Sequence, residues 1–333
     1  MALPRNSLRR CLFLFGVASL CYMLGAAVIY FDLPTADFLR RGFAGGLAWY
    51  EGEKTPQTPG QQLPPPTVGK IDQPDKTCDG FTLLMYGGDS QAMLVNMRGE
   101  TVHRWHVPFN KLWPKPPHLN GRIDDATVYF NDGHIYPNGD LLVVIEGPIN
   151  VHNSSNGYGL AKLDKDSNVI WKYAEKCHHD VDVGDDGTIY VLTNEIVHSV
   201  PKGLEFLPTP CMVDFVDVLS PDGKRLKRIS ILEALQNSPY APLLCLLERP
   251  PAAGQMLLRM APGAAPAPFE DDSRRRDVLH TNAVKVLKPG LASHFPLLKP
   301  GQILISPRHL DAIAVLDPES QRAVWAGKGS WHA

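Results

Sequence analysis

The chain has 333 residues, 44% of them hydrophobic, with 33 basic against 35 acidic side chains and a net charge of −2. That balance, with no basic stripe along it, argues against a nucleic-acid partner. Apart from one apolar run near the start, the composition is that of an ordinary soluble domain.

Arg5, Arg9 and Arg10 precede residues 11–31, a stretch of 21 residues without a charge. At about 1.5 Å per residue, such a helix crosses a hydrocarbon core of roughly 30 Å. A cleavable leader is the rival, but its apolar region is typically about 7–15 residues and ends in a small-residue site. Here Ala26-Ala27 runs on into Val28, Ile29, Tyr30 and Phe31. The expectation is a cytoplasmic N-terminus over 1–10 and an uncleaved, single-pass anchor over 11–31 in the inner (cytoplasmic) membrane. Residues 32–77, with Pro64-Pro65-Pro66, are a linker that holds a domain of residues 78–333 in the periplasm or another extracytoplasmic space. Cys78, Cys177, Cys211 and Cys245 lie in that domain, where an oxidising compartment would allow one or two disulfides of undetermined pairing.

From residue 80 a pattern recurs. Phe81–Tyr86, Ala92–Met97 and Thr101–Val107 are β-rich runs split by Gly and Asp turns. A second unit reads Gly133 to Val144 around Pro137-Asn138-Gly139-Asp140, then Gly159–Asp164 and Val169–Trp171. A third has Asp185-Asp186-Gly187 followed by Thr188–Leu192, then Val213–Leu219, Pro221-Asp222-Gly223 and Lys227–Ile231. A fourth has Pro300–Ile305, Ala312–Leu316 and Arg322–Trp325. Periods of about 40–60 residues of short strands predict an all-β fold of propeller blades, with a sandwich or β-solenoid as the alternative. Trp105, Trp171 and Trp325 near the unit ends are expected to pack between blades. Between units three and four, residues 232–275 form an insertion, helical at first and then rich in Pro and Ala.

The chemistry concentrates in Asp277-Val278-Leu279-His280-Thr281-Asn282 and in Ser306-Pro307-Arg308-His309. An imidazole, an amide and a forked guanidinium suit an anionic ester such as sulfate or phosphate. His178 and His179 are adjacent, so on a regular strand only one faces a channel. Asn131 stands at the same offset before Gly139 as His179 before Gly187, and reads better as a turn residue. His309 reads as structural. Metal ligation by Cys177, His178 and His179 lacks further ligands, and the Asp180–Asp186 acids miss the calcium-loop spacing, so no metal site and no cofactor are expected.

The ordered set Cys177-His178-His179-Asp180, His280-Thr281-Asn282-Ala283-Val284 and Ser306-Pro307-Arg308, with the Pro-Asn-Gly-Asp-Leu-Leu unit, resembles the bacterial arylsulfate sulfotransferases. The resemblance covers roughly residues 78–333. It implies a six-bladed propeller, of which about four blades are present here. It also implies nucleotide-independent transfer of a sulfuryl group from a phenolic sulfate donor to a phenol acceptor through a sulfohistidine. His179 and His280 match its catalytic channel histidines, and Asn282 and Arg308 its sulfate-binding residues. The family's nucleophilic histidine sits in a Gln-His-Asp type motif after a Gly-rich turn. Here Trp325-Ala326-Gly327-Lys328-Gly329 is followed by Ser330-Trp331-His332-Ala333. His332 lacks the flanking pattern, so the nucleophile is expected beyond the last residue and the chain is expected to be truncated at its C-terminus. The alternative function is a non-catalytic, membrane-anchored propeller that binds a protein or polymer partner.

Overall fold

A computed structural model of the chain describes Gly16, Ser19 and residues 76–85, 90–121, 123–149, 155–247 and 277–329. Contacts divide the chain into two units, Thr67–Arg249 with Pro268–Ala333, and Met1–Pro66 with Pro250–Ala267. All the described strands belong to the first unit.

The fold is all-β, as expected, and consists of four antiparallel sheets whose strands follow one another in chain order. The first sheet holds β1 (Phe81–Met85), β2 (Gln91–Asn96) and β3 (Thr101–His106). The second holds β4 (Tyr129–Ile135), β5 (Leu141–Glu146), β6 (Gly157–Leu163) and β7 (Val169–Tyr173). The third holds β8 (Cys177–Val183), β9 (Ile189–Val197), β10 (Cys211–Leu219) and β11 (Arg225–Ser230). The fourth holds β12 (Thr281–Val286), β13 (Ile303–Pro307), β14 (Ala312–Asp317) and β15 (Arg322–Lys328). Among the described residues no sheet closes on itself.

The sheets stack, and the cores lie between them. β5 reads Leu-Leu-Val-Val-Ile-Glu and every residue in it is buried, the mark of a strand covered on both faces. Leu141, Val143 and Ile145 meet Ala92, Trp105 and Phe130 on one side. Leu142 and Val144 meet Cys177, Val181, Ile189 and Val191 on the other. The third and fourth sheets share the core built from Leu192, Val216, Val284, Ile303, Ile305 and Leu316. Each such side chain contributes about 1.5–3 kcal/mol on burial.

Sharp turns bring these strands back on themselves. Gly139, Gly187 and Gly223 end their turns at φ +85°, +82° and +80°, where a side chain is disfavoured. Trp171 of β7 lies over the Gly223 turn of the next sheet and donates its indole N–H to the Pro221 carbonyl at 3.2 Å. Trp105 is buried in the first core, whereas Trp325 is 38% exposed.

Among the described residues between the strands, two short helices interrupt the pattern, α1 (Phe109–Leu112) and α2 (Ile231–Gln236). The Ser230 hydroxyl caps α2 by accepting the Glu233 N–H at 3.2 Å, a common helix-start signal. A 3-10 turn at Ala241–Leu247 follows, and residues 248–275 of the expected insertion lie outside the described residues. So do the expected anchor, apart from Gly16 and Ser19, the expected linker up to residue 75, and His332. Among the described residues, no helix is long and apolar enough to cross a membrane.

The four domain cysteines are free thiols, which corrects the disulfide expectation. Cys177 faces the core between sheets two and three and Cys211 the core between sheets three and four. Cys78 and Cys245 are exposed.

Candidate functional site

The first strands of the last three sheets run side by side and are stitched together by carboxylates. Asp132 of β4 accepts the Val181 N–H of β8 at 3.1 Å. Asp180 of β8 in turn accepts the Val284 N–H of β12 at 2.8 Å, and Asp182 accepts that of Val286 at 2.8 Å. Lys285 adds an ion pair to Asp180 at 2.6 Å.

Each of these strands is also irregular near its start. Register shifts fall between Phe130 and Asp132, between Cys177 and Val181, and between Thr281 and Val284. Such bulges bend a strand and re-aim its side chains. The bulge in β8 separates the adjacent histidines. His178 is 3% exposed and turns to Asp214, its Nε2 3.7 Å from Oδ1, while His179 is only half-buried.

Burial, then the neighbouring His179, pushes the His178 imidazole down to about 4. Burial, then the charge of Asp277, pushes the Asp214 carboxyl up. An ion pair would shift both groups the opposite way, so desolvation outweighs their attraction.

His179 and His280 share an unusual backbone. Their φ values are +59° and +51°, left-handed conformations that cost a non-glycine residue roughly 1–2 kcal/mol. In both cases a carboxylate holds the residue twice. Glu146 Oε1 accepts the His179 main-chain N–H at 2.7 Å and lies 3.3 Å from Nδ1 of its ring. Asp277 Oδ1 accepts the His280 main-chain N–H at 3.1 Å, and Oδ2 lies 2.5 Å from Nδ1. With Nδ1 engaged, Nε2 is the nitrogen each ring has left for a ligand.

The two rings lie 5.4 Å apart between centroids. Arg308, in a 3-10 turn after β13, brings Nη1 to 3.5 Å from His280 Nε2, and its main-chain N–H donates to the His280 carbonyl at 3.2 Å. His309 backs this arrangement. Its ring lies 5.2 Å from that of His280, and its Nδ1 is 3.0 Å from the Asp277 carbonyl.

Of the residues singled out by sequence, the structure therefore brings His179, His280 and Arg308 together. Asn282 sits in the β12 bulge, exposed, with no hydrogen bond to any of them. Asn131 is a bulge residue of β4 rather than a turn residue, and its amide donates to Glu146 Oε1 at 3.2 Å and to the His179 carbonyl at 3.1 Å. Glu146, Asp277 and Asp214 were not anticipated. Asp277 could have been, because it precedes His280 by three residues. Nothing local marks Glu146, a charge that ends an apolar strand 33 residues from its partner.

Fold and site together define a repeat protein of stacked β-meanders in which His179 and His280, each held by a carboxylate near the start of β8 or β12, lie beside an arginine that follows β13. The arylsulfotransferase (ASST) family profile matches residues 134–332, more than half of the chain, and the chain belongs to that family. No curated protein matches the chain. Among solved structures, a protein of unknown function from Bacteroides caccae, determined at 1.35 Å, is similar with 12% identity and a TM-score of 0.36. The match covers 75% of this chain and 57% of that one, so the chain spans little more than half of that protein's length.

Proposed function

We propose that this protein moves a sulfuryl group from a phenolic sulfate to a phenolic acceptor without a nucleotide. The observation that carries the reading is the alignment of Asp277, His280 and Arg308, with His179 across from them. Arg308 and the His179 ring offer N–H groups to the sulfuryl oxygens, stabilising charge as it develops in transfer. Asp277 at Nδ1 stabilises the His280 ring when Nε2 also carries a proton, which passes to the departing phenolate. In the first half-reaction the bond between sulfur and the aryl oxygen breaks and a nitrogen–sulfur bond forms on a histidine. The acceptor phenol reverses both changes. The sulfuryl-accepting histidine is assigned outside the described residues, with His332 as the candidate in this chain. A six-bladed ring around the first strands, an N-terminal membrane anchor and an extracytoplasmic domain complete the proposal.

The test mixes p-nitrophenyl sulfate with a phenol acceptor and follows nitrophenol release and sulfation of the acceptor. Release by the protein, abolished in a folded His280→Ala variant, supports the reading. Absence of release while a known sulfotransferase works alongside rejects it.

A further inference from the structure

We infer that Glu146 is a positioning residue of the anion site, acting through His179, a role that rests on the sulfuryl-transfer reading above. The carboxylate is 2% exposed and, among the described residues, makes no ion pair with a lysine or arginine. Four donors from two neighbouring strands, β4 and β8, converge on it instead. Oε1 takes the His179 main-chain N–H at 2.7 Å, faces Nδ1 of the same ring at 3.3 Å and takes the Asn131 amide at 3.2 Å. Oε2 takes the Tyr129 hydroxyl at 3.1 Å. A buried carboxylate survives only when paired and hydrogen-bonded, and here the ionisable group hydrogen-bonded to it is the His179 ring.

The geometry has two consequences. The bond to the main-chain N–H holds the left-handed turn at His179, and the contact to Nδ1 leaves Nε2 as the other nitrogen of a ring that lies 5.4 Å from that of His280. The negative charge beside the ring also lets it hold a proton in a half-buried place. Burial acts to lower the His179 pKa, but the hydrogen bond and charge of Glu146, helped by Asp214 and Asp277, outweigh it and the net shift is upward. Burial acts to raise Glu146, and the bonds from His179 outweigh it, so its net shift is downward. His178, His280 and Arg308 are the basic groups nearby and oppose protonation of His179. A cationic His179 opposite Arg308 suits a dianionic or monoanionic ester, whereas a neutral ring leaves Arg308 alone.

The test combines histidine NMR titration with calorimetric binding of inorganic sulfate between pH 5 and 9. In the wild-type protein, sulfate binding is expected to weaken as pH rises through the raised His179 pKa. In Glu146→Gln, the His179 titration and the binding midpoint both move down by about one pH unit or more. Affinity at pH 7 falls on the order of tenfold. Glu146→Asp keeps the charge one methylene short and gives an intermediate shift, a rescue that a merely structural role does not predict. Where Glu146→Gln does not fold by circular dichroism, the aspartate variant carries the comparison. A folded variant whose His179 titration and sulfate affinity match wild type overturns the role of Glu146 and leaves sulfuryl transfer standing. A wild-type protein that takes no sulfate at any pH overturns both.

Discussion

Replacing Asp277 by Asn tests the Asp277–His280 pair most directly. The side chain keeps its shape, and its amide oxygen still accepts the His280 main-chain N–H, so the left-handed turn at φ +51° is preserved. What changes is the partner of Nδ1, which meets an NH2 group instead of a carboxylate oxygen at 2.5 Å. The neutral ring must then accept at Nδ1 and carry its proton at Nε2, against the Arg308 guanidinium 3.5 Å away. The charged ring loses its counter-charge. The pair is only 10% and 28% exposed, so solvent screening discounts the interaction little. A hydrogen bond to a charged group contributes about 1.5–3 kcal/mol. Lost from the transition state, this lowers kcat/KM by roughly 10- to 150-fold. The assay is p-nitrophenyl sulfate turnover with a phenol acceptor, paired with nitrogen-15 NMR of the His280 tautomer. A folded Asp277→Asn protein within twofold of wild type, with its neutral proton still at Nδ1, refutes the reasoning.

Three further outcomes are expected. Arg308→Lys keeps the charge but loses the planar fork, and inorganic sulfate binding measured by calorimetry weakens by about tenfold; unchanged affinity removes Arg308 from the site. The folded His178 pKa of about 4 lies below the unfolded value of 6.5. Its contribution is therefore full above pH 6.5 and is lost as pH falls toward 4, about 3 kcal/mol in all. The stability gap between wild type and His178→Gln in urea unfolding should narrow over that window, and a gap independent of pH contradicts it. Gly223→Ala puts a Cβ at φ +80°, 2.6 Å from the Trp171 ring. It should cost about 1–3 kcal/mol by urea midpoint, from backbone strain and displaced packing. A loss within experimental error shows that the Trp171 contact gives way freely.

Turn chemistry made the repeat legible. Asn138-Gly139, Asp186-Gly187 and Asp222-Gly223 each close a hairpin, and the apolar runs on either side become β5, β9 and β10. The first strand of each sheet was harder to read, because β4 and β8 mix polar side chains with apolar ones in sequences such as Phe130-Asn131-Asp132 and His178-His179-Asp180. Their polar residues answer to bulges and to carboxylate bonds with the neighbouring strand, neither of which follows period-two alternation. The same cause governs the site. His179, His280 and Arg308 could be named from side-chain chemistry and Asn131 from its offset in the repeat, but neither Glu146 nor the part Asn131 plays beside it could, since their partners lie on other strands.

The bonds between neighbouring first strands show how one repeat yields an asymmetric site. Asp132 holds Val181 and Asp180 holds Val284, so Asn131, His179 and Asn282 occupy equivalent places in β4, β8 and β12, with Ala283 where the two aspartates stand. In β4 the place carries a buttress for Glu146, in β8 an imidazole, and in β12 an exposed amide. The second imidazole comes instead from the segment before β12, where Asp277 supplies the double hold that Glu146 supplies to His179. Two histidines on unrelated positions of the repeat thus reach the same left-handed geometry by the same device. Backbone strain of this size is retained only where surrounding bonds over-determine it. Both carboxylates engage Nδ1 and leave Nε2 of each ring, and that shared choice of nitrogen is the property the two strained turns have in common.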